Sequence, residues 1–107
     1  MSEASEQYRI DLLDGWPVGL YEDATDAWGE DAQITLGQEE LSELNVELAR
    51  YFRGRNENEE IVDEIADVII AAKQLALIFG KEETEKRIEY KLRRLRSRVD
   101  ESKGGPD

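Results

Sequence analysis

This sequence of 107 residues contains no cysteine and no histidine. The first absence excludes disulfides and thiol nucleophiles, the second excludes imidazole bases, and together they remove the usual zinc ligands. Any chemistry must rest on carboxylates, hydroxyls, basic groups and a bound hard cation. Proline is scarce, with two residues, and aromatics make up 7% of the chain. No apolar run reaches the roughly 18 residues that a transmembrane helix needs. The N-terminal MSEASEQYR has neither the basic nor the apolar region of a signal peptide. The expectation is a soluble cytoplasmic protein with no membrane partner. Positive charge is the other shortage: 26 acidic residues face 14 basic ones, for a net charge of −12. Affinity for nucleic acid comes largely from Lys and Arg on phosphates, so nucleic acid is not an expected partner. A chain this short makes one small domain with a modest core.

What the chain does have is helical periodicity. Residues 1–7 and 100–107 read as flexible ends, leaving 8–99 as a single helical domain. Between Tyr8 and Gly29, a short apolar run (Ile10, Leu12, Leu13) precedes a turn at Asp14-Gly15-Trp16-Pro17 and a short helical piece ending near Trp28-Gly29. A long helix then runs from about Glu30 to Phe52 and stops in the polar loop Arg53 to Asn58. Asn58 is the expected N-cap of the next helix, with Glu59 and Glu60 at the positive end of its dipole. Gly80 ends that helix, and the last one runs from about Lys81 to Val99. There is no strand-like alternation and no internal repeat. The fold class is all-α.

The helix faces carry more information. At about 100° per residue, Ile34, Leu41, Leu44, Leu48, Tyr51 and Phe52 fall within roughly one third of the circumference and predict a core face. On the opposite side Ala32, Leu36 and Val46 surround Glu39 and Glu43. In the next helix the stretch IADVIIAAKQLALIF, from Ile65 to Phe79, can carry charge only at Asp67 and Lys73. Lys73 lies on a different face from Asp67, so the compensation of a buried Asp67 must come from elsewhere. Glu64 and Asp67 share a sector with Ala71 and Ile78, while apolar residues fill most of the remaining circumference. A helix apolar all round must be covered all round. The expected architecture is therefore an antiparallel helical bundle completed by homo-oligomerisation, as a homodimer or homotetramer. The last helix pairs an apolar stripe (Ile88, Leu92, Leu95, Val99) with a basic one (Arg87, Lys91, Arg94, Arg98), which is either a solvated flank or a grip for phosphate.

A lone EExxE on a helix is an ordinary solvated face. Here Glu39, Glu40 and Glu43 on one helix are joined by Glu64 and Asp67 on the next, each set on an apolar-flanked face. Ligands that converge from facing helices are how bundles build divalent sites. All-oxygen ligation without imidazole favours Mg²⁺ or Mn²⁺. The alternative is a non-catalytic helical interaction or regulatory module whose acids only solubilise it.

The run AWGEDAQITLGQEELSELNVEL (Ala27 to Leu48), followed by VDEIADVIIAAKQLA (Val62 to Ala76), resembles the all-α nucleoside triphosphate pyrophosphohydrolases of the MazG-like group. That family's signature is EExxE on one helix and ExxD on the next, matched by Glu39-Glu40-x-x-Glu43 and Glu64-x-x-Asp67. The resemblance covers about Ala24 to Arg98, and the segment up to Tyr21 has no counterpart in it. It implies hydrolysis of a nucleoside triphosphate to a monophosphate and pyrophosphate, in the manner of a nucleotide-pool housecleaning enzyme. Carried over by motif position, Glu39, Glu43, Glu64 and Asp67 hold Mg²⁺ and Glu40 orients or deprotonates the attacking water. Lys91, Arg94 and Arg98 match the family's basic terminal helix and take the β and γ phosphates. Trp28, with Trp16 and Tyr21, is a candidate to stack on the base, packing being the alternative use of each. The base and sugar are left open, among them dUTP, dCTP, a damaged nucleotide or a phosphoribosyl-ATP-like compound.

Overall fold

The computed structural model describes residues 7–104. Residues 1–6 and 105–107, expected as parts of the flexible ends, lie outside the described residues. The described residues contain four long or medium helices: α1 (Val18–Trp28), α2 (Glu30–Phe52), α3 (Asn58–Phe79) and α4 (Lys81–Lys103). There is no strand among the described residues. The all-α expectation therefore holds. The described residues divide into two compact units, one spanning residues 15–79 and the other built from residues 7–14 and 80–104.

The 15–79 unit is organised around α3. Trp16 Nε1 donates a hydrogen bond to Tyr21 Oη, which in turn donates to the Ile70 carbonyl at 2.9 Å. Lys73 Nζ sits 3.7 Å from the centroid of the Trp16 ring, so the one cation of the apolar helix is met by an aromatic face. These contacts dock α1 and the turn before it. Gly29 then serves two helices at once: its N–H closes α1 on Thr25 O at 2.7 Å, and its carbonyl accepts Gln33 N–H at 3.3 Å to open α2. It does so at φ 88°, a backbone state that disfavours any side chain.

α2 packs on α3 along a stripe that the apolar pattern did not single out. The least exposed positions of α2 are Gln33, Gly37, Glu40, Leu44 and Glu47, spaced alternately four and three apart. This seam is rotated by roughly 60° from the predicted core face. Leu44 and Ile34 stay half-buried at its edge, whereas Leu41 is 56% and Phe52 86% exposed. The physical reason is Gly37. A Cβ built there would stand 3.0 Å from Leu75 Cδ1 of α3, so the helices meet at the position with no side chain rather than at the most apolar face. The expected sharing of a sector by Glu64, Asp67, Ala71 and Ile78 is observed, and all four are buried or half-buried. Among apolar residues of this unit only Tyr21, Ala71 and Ala76 are buried, and they are joined by two amides, Gln33 and Gln74.

The loop after α2 differs in detail from expectation. α3 begins at Asn58 itself, with the Glu57 carbonyl accepting Glu60 N–H. The amide that works here is Asn56: its Nδ2 donates to the Glu47 carbonyl at 2.7 Å and to Glu47 Oε2 at 2.9 Å, tying the loop back to α2.

In the second unit, residues 7–14 lie along α4, held by carboxylates. Glu89 accepts the Ile10 N–H at 3.0 Å and Glu85 accepts the Leu12 N–H at 2.8 Å. Lys81 bridges Glu85 and Asp11. Ile88, Leu92 and Val99 are half-buried as the stripe predicts, while Leu95 is exposed. α4 runs on to Lys103 rather than ending near Val99. An Arg96–Asp100 ion pair of 2.7 Å, one turn apart, supports that last stretch, and Gly104 N–H closes it on Asp100 O.

Candidate metal centre

The acids of α2 and α3 meet across their seam. Glu40, Glu43 and Glu64 each offer a carboxylate oxygen within 4.8 Å of the others. Two pairs cross between the helices: Glu40 and Asp67 line one recess, and Glu43 and Glu64 line another hollow. Glu39 is exposed and stands outside this group, acting on Glu40 only through its charge. Of the five acids singled out from sequence, four are therefore gathered in the seam.

The electrostatics follow from crowding. Loss of water, then the charges of Glu43 and Asp67, the hydrogen bond with Asp67 and lastly the charge of Glu39, push the Glu40 carboxyl above its ordinary range. Glu64 is raised in the same way, by loss of water first and then by Glu43, Asp67 and Glu40. Glu40 Oε2 and Glu64 Oε2 are closed off from solvent with no hydrogen-bond partner. Every ionised oxygen here is an acceptor, so what joins them must be a proton, a cation or a hydrogen-bond donor such as water. A divalent cation satisfies that need and reverses the direction of the shifts. The set is all carboxylate, a donor type that favours Mg²⁺ or Mn²⁺ over softer metals.

Hollows flank the cluster on two sides. A shallow one of about 450 Å³ is lined by Ser42, Glu43, Val46, Glu47 and Glu64. A smaller recess of about 100 Å³ runs from Glu40 and Asp67 to Gln33 and Gln74. Gln74 is 3% exposed; its Nε2 donates to Thr25 Oγ1 at 2.6 Å and to the Tyr21 carbonyl at 3.3 Å. Sequence reasoning missed both amides. Gln74 was the findable one, as an uncharged polar residue inside an otherwise apolar run.

The remaining site residues are placed as follows. Lys91, Arg94 and Arg98 are exposed on α4, in the other unit, while Arg87 of the same stripe lies 4.7 Å over the Tyr90 ring. Trp28 is exposed at the end of α1. Trp16 and Tyr21 are committed to the packing of α1 on α3. Comparison with protein-family models, with curated proteins and with solved structures gives no match.

Proposed function

We propose that this protein is a Mg²⁺-dependent nucleoside triphosphate pyrophosphohydrolase, a cytoplasmic enzyme converting a nucleoside triphosphate to a monophosphate and pyrophosphate. The observation that carries the reading is the convergence of Glu40, Glu43 and Glu64, with Asp67 beside them, around two solvent-free carboxylate oxygens. By the motif resemblance, Glu43, Glu64 and Asp67 hold the cation from the seam and Glu39 adds a ligand from the exposed side of α2; Mn²⁺ serves in place of Mg²⁺. The bound ion supplies neutralisation of phosphate charge and a lowered pKa for water. By the same resemblance Glu40 orients or deprotonates the water that attacks the α phosphorus. By the motif resemblance alone, Lys91, Arg94 and Arg98 are the residues for the β and γ phosphates and Trp28 the one to stack on the base. α2 and α3 run antiparallel, and the bundle is completed by further copies of the chain, whose contact would cover the exposed Leu41, Val62 and Ile69.

Those same exposed residues favour the second reading, a non-catalytic helical interaction module. Magnesium-dependent pyrophosphate release across a panel of nucleoside triphosphates separates the two. Glu40→Gln is expected to retain Mn²⁺ affinity by calorimetry and to lose turnover by about 10²-fold or more. Loss of Mn²⁺ affinity in that variant would make Glu40 a ligand instead. Release of orthophosphate alone, or of nothing, would leave only the interaction module.

A further inference from the structure

Glu47 is the acid beside the cluster that the cluster does not use. It stands one helical turn after Glu43 and lines the hollow of about 450 Å³ together with Glu43 and Glu64. Side chains four apart on a helix have Cβ atoms about 5–6 Å apart, so the Glu47 carboxylate has the reach to join a cation held at Glu43. Its oxygens are engaged elsewhere. Asn56 Nδ2 donates to Oε2 at 2.9 Å, and Arg50 Nη1 lies 3.5 Å from Oε1. Glu40 and Glu64 each keep an oxygen closed off from solvent with no hydrogen-bond partner, whereas Glu47, with its side chain 15% exposed, is supplied with donors. Asn56 is committed to this contact. The Glu47 carbonyl can only accept, so the amide end facing it is the Nδ2 donor. One N–H of that group goes to the carbonyl at 2.7 Å and the other to the carboxylate. Asn56 Oδ1 is left buried with no partner. An acceptor in that state opposes folding, so what the residue contributes is its two bonds to Glu47.

We propose that Asn56, assisted by Arg50, is a positioning residue that holds Glu47 away from the cation of the neighbouring cluster and so keeps that cation open to substrate. The proposal rests on the pyrophosphohydrolase reading for the cation itself. Mg²⁺ demands near-octahedral geometry, and in nucleotide sites it keeps several positions for water and substrate phosphates. Glu40, Glu43 and Glu64 already converge there, with Asp67 beside them. A further carboxylate from the same hollow would tighten the grip on the ion and take a position that a phosphate oxygen or the attacking water needs. The Asn56 amide, being neutral, satisfies Glu47 without adding a charge that would repel or replace the ion.

Calorimetry with Mn²⁺ and turnover read the proposal in opposite directions. Asn56→Ala frees Glu47, so Mn²⁺ should bind about tenfold more tightly, the scale on which partners of ligands tune a metal site, while pyrophosphate release falls by a similar factor. A residue that only tied the loop to α2 would weaken both. Glu47→Gln alone should leave Mn²⁺ affinity at the wild-type value, and Glu47→Gln added to Asn56→Ala should return the affinity to it. Where Asn56→Ala does not melt cooperatively, Asn56→Asp takes its place with the same expected outcome, since it keeps the size of the side chain and exchanges the donor for an acceptor. Unchanged or weaker Mn²⁺ binding in the Asn56 variant, or weaker binding in Glu47→Gln, would overturn the inference and leave the hydrolase standing. Tighter binding that Glu47→Gln reverses, in a protein that releases no pyrophosphate from any nucleotide, would keep the role of Asn56 and remove the hydrolase. A wild type that binds no Mn²⁺ would end the proposal.

Discussion

At the scale of single residues the chain stores opposite pH responses in its two units. Glu40 and Glu64 are raised above their ordinary range, so folding without a cation favours their protonated forms. Their contribution is fullest below the unfolded-state pKa and is lost as pH rises through the folded value. At neutral pH without divalent ions, Glu64→Gln should therefore melt higher than wild type, and added Mg²⁺ should stabilise wild type but not the variant. Thermal melts across pH 4 to 8, with and without Mg²⁺, check this. Glu85 behaves the other way. Its carboxyl is lowered mainly by the Leu12 N–H it accepts, with Lys81 adding to the effect. Its contribution is present above the unfolded-state pKa and is lost as pH falls through the lowered folded one. Glu85→Ala should raise the hydrogen-exchange rate of the Leu12 amide at neutral pH, and wild type should show the same loosening only in acid. An unchanged Leu12 rate in Glu85→Ala would mean that this carboxylate does not hold the segment.

At the scale of elements, the α2–α3 seam depends on Gly37. Alanine there gains up to about 1 kcal/mol of helix propensity over glycine, yet its Cβ meets Leu75 Cδ1 at 3.0 Å. Leu75 is only half-buried and can yield by a few tenths of an ångström, so Gly37→Ala should change stability little. Gly37→Val has no such escape. It should cost about 1–3 kcal/mol, the usual range for overpacking, and should weaken Mn²⁺ binding as the carboxylates of the two helices are forced apart. Chemical denaturation and calorimetry on the two variants supply the comparison. Equal stability of Gly37→Val and wild type would show that the helices do not rely on close approach at this point.

For the whole molecule, the balance of burial is the issue. Among the described residues no large side chain is fully buried, and Leu41, Val62, Ile69, Phe52 and Phe79 all expose 40% or more of their surface. Burial at about 25 cal/mol per Å² makes that arrangement poor for an isolated chain. Light scattering should give a mass at least twice the 12.3 kDa of one chain. Val62→Lys with Ile69→Lys should reduce both the mass and the melting temperature. A cooperative melt from a species of single-chain mass would refute the self-association reading. The charge of −12 adds repulsion to every such contact, so association should strengthen as salt rises from low ionic strength.

Helix periodicity, the stops at Gly29, Gly54 and Gly80, and the division into three long helices and one short one were all legible in the sequence, because hydrogen bonding within a helix is local and its ends are marked by local chemistry. So was the candidacy of Glu39, Glu40, Glu43, Glu64 and Asp67, since their spacing alone puts them near one another on two helices. Which of them face each other was not legible. The most apolar stripe of α2 predicted the wrong rotation by roughly 60°, because packing is decided by how closely two backbones can approach, and that depends on Gly37 meeting Leu75 across the seam. The same rotation moved Glu40 into the cluster, left Glu39 outside it, and brought Gln33 and Gln74 into one recess. The composition of each helix was written along the chain; the register and rotation between helices were decided only when side chains from distant positions had to share the same space.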